Sequence, residues 1–285
     1  MLEPFEPFLS NLAIDTLRLG IWLGLLALIF LPLEFAFPAR RGKILRKGLG
    51  QDIIYYFLGT LVLPLLLSIP VWAVATVAHR VVPYHLVLFA GSLPLWLRAI
   101  LTLLVGELFS YWAHRWSHEV PFLWRFHAIH HSAEQVDFLV NTRSHPIDLA
   151  FVRFVSLVPL FMLGLTGPIG QPGSLTSNMV LIIGTIWTFF IHANIRFRFG
   201  FLEYLISTPG FHRWHHTLDG PVNHNYAPIL PWMDWLFGTM HLPPHDAPVA
   251  YGTRTKVPDT VIGQLLWPLL PEPLAPTQAE GGDPA

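Results

Sequence analysis

"HRWSHEVPFLWRFHAIHH", residues 114–131, carries five histidines in eighteen positions and lies between long apolar stretches. His114 and His118 are four residues apart, so on a helix they share a face. His127, His130 and His131 stand at i, i+3 and i+4. The segment "HRWHH" repeats that spacing at His212, His215 and His216. Each triplet puts three imidazoles on one helical face, able to converge on a common centre. Neutral imidazole is the commonest protein metal ligand. Eight such rings exceed what one tetrahedral ion needs, which points to two metal ions. Glu107, seven residues before His114, falls on the same stripe two turns deeper, and an ionisable group there is a functional candidate. His145 in "TRSHPID" and His192 in "FFIHANI" sit near the ends of apolar segments and can face the same cavity. His79 and His85 read as interfacial residues, and His241 and His245 as loop residues.

The apolar stretches set the class. Of 285 residues, 53% are hydrophobic and 12% charged, with a mean hydropathy of +0.49. Soluble domains carry about 25% charged residues, so this is a membrane protein. A formal net charge of −1 leaves no basic footprint for nucleic acid. The absence of cysteine excludes disulfides, Cys-ligated zinc and Cys-ligated iron–sulfur clusters. Any metal must be held by His, Asp or Glu.

Five segments approach the ~20 apolar residues that a bilayer requires. They are Leu17–Phe37, Ile53–Ala78 with kinks expected at Pro64 and Pro70, Leu86–Phe109, Ile147–Leu165 and Met179–Ile195. Asp148 and Arg153 weaken the fourth. "TGPIGQPGS", residues 166–174, joins the last two as a hairpin that either crosses or dips in. Glu3, Glu6 and Asp15 replace the basic start of a signal peptide, so the first segment reads as a retained helix. Basic "ARRGKILRK", residues 39–47, follows it directly. The positive-inside rule places that segment in the cytoplasm and the N-terminus outside. Counting onward puts both histidine clusters on the cytoplasmic side, of the inner membrane if the cell is bacterial. The expected fold is all-α: an integral membrane helical bundle of four or five membrane helices. A cytoplasmic helical cap carries a His-rich di-metal site. Residues 1–267 read as one domain, with the histidine region at about 107–239, and residues 268–285 as a disordered tail.

"HEVPF" is not HExxH, so zincin proteolysis lacks its motif. Hydrolytic zinc takes three ligands and an open position, and there are too many nitrogens here for that. Imidazole suits iron, copper, nickel and zinc alike. Two irons, partly open, would suit oxygen activation beside a lipid, because an apolar C–H bond offers no handle for acid–base attack.

The run "ELFSYWAHRWSHEVPFLWRFHAIHHSAEQVDFLVNTRSHPID", with "FFIHANI", "TPGFHRWHHTLDG" and "NHNYAPILPWMDWLFGT", resembles the fatty acid hydroxylase / sterol desaturase superfamily of membrane di-iron oxygenases. The likeness covers roughly Glu107–Thr239. It implies two iron ions, zinc being possible in a preparation, with dioxygen as co-substrate. It also implies an external electron donor, a lipid substrate, and hydroxylation or desaturation as the reaction. By motif, the metal ligands would be His114, His118, His127, His130, His131, His212, His215 and His216. His192 would join them, with His145 as a ligand or its support. Glu107 would orient an imidazole or ligate. Asn225, Tyr226 and Asp234 match family positions that either hold the third cluster or act in chemistry. Asn225-Tyr226-Ala227 departs from the usual NYG and is similar to alkylglycerol monooxygenase-like members, which cleave ether lipids with a pterin reductant. No cytochrome b5 segment is visible, so electrons would come from a separate protein or a pterin. The competing readings are a non-enzymatic metal carrier, which needs a polar path across the membrane, and a zinc hydrolase, which needs no oxygen.

Overall fold

The computed structural model describes residues 6–166, 174–243 and 248–271. It is helical throughout. The extended pairings among the described residues are two isolated bridges, Pro38 with Ile195 and Thr217 with Tyr251. Most of the 166–174 loop, His245, and residues 272–285 of the expected tail lie outside the described residues.

Four helices are long and apolar enough to cross a membrane. They belong to α1 (Glu6–Ala36), α2 (Leu49–Val81), α4 (Leu95–Glu119) and α7 (Ser174–His192). At about 1.5 Å per residue each clears most or all of a ~30 Å hydrocarbon core. Their outward faces are apolar, with Leu28, Ile69 and Trp72 about 70% exposed (72, 74 and 69%), as expected of side chains whose solvent is lipid.

The expected third span, Leu86–Phe109, is two elements. α3 (Tyr84–Ser92) ends and α4 begins at Leu95. Leu93 and Pro94 are extended, at ψ 142° each. Proline lacks an N–H and pushes the preceding residue out of the helical region. α2 runs without interruption through Pro64 and Pro70. The expected fourth span is α6 (Pro146–Met162), 17 residues long and shorter than a full crossing.

α6 packs between α2 and α4, and α7 packs on α4. Tyr56 of α2 donates to the Leu19 carbonyl of α1 at 3.0 Å. An apolar cluster of Leu26, Phe30, Tyr56, Phe138, Phe189 and Ile195 joins α1, α2 and α7 to the chain beyond α5 (Pro121–His131). α6 starts beside the histidines and α7 ends there, so the pair leaves one end of the bundle and returns to it. The cap is α5, α8 (Pro209–His215), α9 (Trp232–Leu236), α10 (Val261–Leu266) and the loops between them.

An ionic knot ties cap to bundle. Asp52 of α2 bonds Arg46 at 2.6 Å and Arg143 at 2.5 Å, and Arg46 also bonds Asp137. Glu34, at the end of α1, accepts from the backbone N–H groups of Phe138 and Asn194, both at 2.8 Å. Trp267 is buried against Tyr55, Ala128 and Ile129, which brings the segment that follows Leu266 under α5.

Candidate metal centre

α4 presents His114 and His118 in its last turns. Val120 is extended, Pro121 opens α5, and the chain folds back so that α5 brings His127, His130 and His131 against α4. His192 is the last residue of α7, and α8 supplies His212, His215 and, at its C-cap, His216. Nine imidazoles meet in two groups: His114, His118, His127, His131 and His215, and His130, His192, His212 and His216. Within each group the candidate ligand atoms all lie within 4.8 Å of one another.

Each i, i+3, i+4 triplet divides between the groups, where convergence on one centre was expected. Residues i and i+4 are about 40° apart on a helix, whereas i+3 and i+4 are about 100° apart. His127 and His131 therefore face one centre and His130 the other. α8 mirrors this, giving His212 and His216 to the second centre and His215 to the first.

Five of the nine rings have an engaged outer nitrogen, whereas Nδ1 of His212 and of His216 is buried without a hydrogen-bond partner. Nδ1 of His114, His130, His192 and His215 lies 2.7–3.1 Å from the carbonyls of Tyr226, Arg143, Thr188 and His224. Nδ1 of His127 is 2.9 Å from an Asp148 carboxylate oxygen. A carbonyl or carboxylate only accepts, so these five rings carry their proton on Nδ1 and point a lone pair inward from Nε2. Those lone pairs meet one another. His114 and His127 Nε2 are 3.2 Å apart, as are His130 and His192 Nε2. Neither member of either pair has a proton to give. Nε2 of His118, His131 and His215 is buried without a hydrogen-bond partner. Lone pairs crowded together and buried polar atoms left unmatched are costly unless a cation lies between them. The donor set fits metal ions. Burial, and then the neighbouring rings, hold His130, His131, His212, His215 and His216 well below the ordinary 6.5, in the neutral ligand form.

Other singled-out residues lie elsewhere. His145 joins neither group. Its Nδ1 accepts from the Ile147 N–H at 3.1 Å and caps α6, and its Nε2 faces the Leu265 carbonyl. Glu107 orients no imidazole. Its carboxylate accepts from the N–H groups of Ile229 and Leu230 at 2.9 and 3.0 Å. Asp148 does the orienting, held by Ser117 at 3.1 Å. Sequence reading took Asp148 only as a blemish on an apolar span. Its signal was an acid in the first turn of an apolar helix, directly after His145-Pro146.

Asn225, at φ 58°, bonds the Phe211 and His241 carbonyls and the His241 N–H. Asp234 accepts from Tyr226 N–H, Ala227 N–H and the Thr239 hydroxyl at 2.7–2.8 Å. Together they hold the Tyr226 carbonyl against His114. The Tyr226 ring is 5.1 Å from that of His118, and its hydroxyl is buried without a hydrogen-bond partner. His79 and His85 are exposed at the opposite end of the bundle.

Residues 99–239 match the fatty acid hydroxylase family model. The chain is 36% identical to an ornithine lipid hydroxylase of Rhizobium tropici, over 69% of this chain and 57% of that protein. It is 31% identical to a putative Δ7-sterol-C5(6)-desaturase of Arabidopsis thaliana, over 50% of this chain and 48% of the relative. It is 32% identical to an alkylglycerol monooxygenase of Danio rerio, over 50% of this chain and 30% of the relative. The chain thus spans little more than half the length of these relatives, or less. No solved structure matches it.

Proposed function

Residues 99–239 of this chain belong to the fatty acid hydroxylase family, and from that premise we propose that the protein is a dioxygen-dependent lipid oxygenase with two irons, one in each histidine group. One observation carries the proposal: nine imidazoles converge in two groups at one end of an apolar helical bundle, three of them with a buried inner nitrogen that has no hydrogen-bond partner. Hydroxylation or desaturation of an unactivated C–H bond is the chemistry for which such a donor set beside a bilayer is suited. Iron supplies the redox steps with dioxygen that acid–base groups cannot perform on such a bond.

The remaining work falls to side chains. Asp148 and four backbone carbonyls hold rings by Nδ1, so inner nitrogens stay aimed without reorganisation. The apolar walls of α2, α4 and α6 exclude water and position a lipid carbon. Burial raises the Tyr226 hydroxyl above the usual tyrosine range, so it keeps its proton beside the five-histidine group. With the basic segment after α1 read as cytoplasmic, both groups face the cytoplasm and take electrons from a separate protein.

A second reading has its own support. The match to alkylglycerol monooxygenase, together with Asn225-Tyr226-Ala227, favours ether-lipid oxidation with a pterin reductant. The test is metal analysis of the purified chain, then lipid analysis of expressing cells under labelled dioxygen. Two irons per chain and one labelled oxygen in a lipid alcohol are expected for hydroxylation, and an unlabelled new alkene for desaturation. A lipid aldehyde formed only with added pterin would select the second reading. Less than one transition-metal equivalent after iron-replete expression would remove both.

A further inference from the structure

Arg153 is the charge that the metal centre does not use. It sits in the middle of α6, half-buried, with no hydrogen bond or ion pair to any described residue. Its direction follows from its neighbours. Leu149, one turn before it, touches Gly59 of α2. Leu157 and Leu160, one and two turns after it, pack against Leu101 and Val105 of α4. Ile147 and Met162, the exposed residues of α6, lie about 120° and about 180° away around the helix. Arg153 therefore faces the interior between α2 and α4, not the surrounding lipid.

An unpaired guanidinium inside an apolar bundle is costly and calls for an anion. Polar company is close by. Ser156, three residues on, bonds Ser110 of α4 at 2.8 Å, and Ser110 is one turn below His114. The Asp148–Ser117 and Ser156–Ser110 bonds set α6 antiparallel to α4, so Arg153 lies between these two polar levels, within about two helical turns of the five-histidine group.

We propose that Arg153 is the anchor for the acidic group, carboxylate or phosphate, of a lipid that enters the bundle, and so sets which carbon reaches the histidine groups. Guanidinium matches both anions with paired donors. The inference rests on the oxygenase reading for its purpose but not for its test. The full chain in uncharged detergent is assayed for direct binding of radiolabelled oleate, monooleoylglycerol phosphate and methyl oleate, and its metal content is measured separately. At least one acidic lipid is expected to bind about tenfold more tightly than the neutral ester. The acid that does so identifies the headgroup. Arg153→Gln should erase the difference and leave metal content unchanged. Arg153→Met, which removes an unpaired charge, should do the same and raise the thermal midpoint. Equal binding of all three lipids, a preference that survives in either variant, or competition by millimolar inorganic phosphate would overturn the assignment. Absent metal with an intact preference would remove the oxygenase and leave the anchor. Full metal with no preference would do the reverse.

Discussion

His145 and Asp148 lie three residues apart, and the structure gives them unequal parts. Asp148 accepts from His127 and Ser117. Asp148→Asn keeps the shape but loses the charge, and should lower metal affinity about 10- to 100-fold, measured by competition with a chelator. His145 caps a helix. His145→Ala should leave metal content unchanged and cost about 1 kcal/mol in thermal stability. Loss of metal in that variant would make His145 a ligand. The depressed basicity of five buried histidines has a sign that can be worked out. In the metal-free fold they stay neutral well below the ordinary 6.5. Below about pH 6.5 the unfolded chain binds protons that the fold refuses. Stability is therefore full above that pH and falls as pH drops through it. Metal-stripped protein should show a thermal midpoint that declines between about pH 7 and about pH 5, and a flat profile would contradict the neutral assignment.

Between elements, the strongest tie is Asp52, whose carboxylate holds Arg46 and Arg143 with side-chain exposures of 0, 2 and 6%. The Arg143 carbonyl in turn faces His130 Nδ1. Asp52→Ala leaves the buried Arg143 without a carboxylate and Arg46 with Asp137 alone, and should cost about 3–5 kcal/mol. The exposed Asp15–Arg18 pair, by contrast, should cost under about 1 kcal/mol on Asp15→Ala. Thermal unfolding in detergent compares them, and equal losses would deny the knot its role. Helices were readable from runs of apolar residues, but their interruptions were not all so. The break at Pro94 is local proline chemistry. Continuity through Pro64 and Pro70 is not, since the freed backbone groups depend on packing that a linear pattern leaves out.

For the whole molecule, the proposed orientation rests on arginine and lysine placement, and it can be checked cleanly because the chain has no cysteine. Leu45 and Val249 are 82 and 78% exposed on the cap, and Tyr84 is 74% exposed at the far end. Leu45→Cys and Val249→Cys should react with an impermeant maleimide only after the cells are opened, and Tyr84→Cys before. The reverse pattern would invert the orientation, and labelling of all three from one side would deny that the bundle crosses.

The sequence by itself determined the class, most of the long helices and the place of the histidines. Low charge and long apolar runs leave a chain no solvent but lipid, and imidazoles repeating at helical spacing share a face whatever surrounds them. It named ten histidines, nine of which the fold gathers. Only the tertiary structure divided them into two groups, because that division depends on how α5 and α8 face each other across α4 and α7. It alone moved Glu107 to a backbone cap and gave His127 to Asp148. Which polar atom meets which is a matter of distance between elements far apart in the chain, and spacing along one helix carries no record of it.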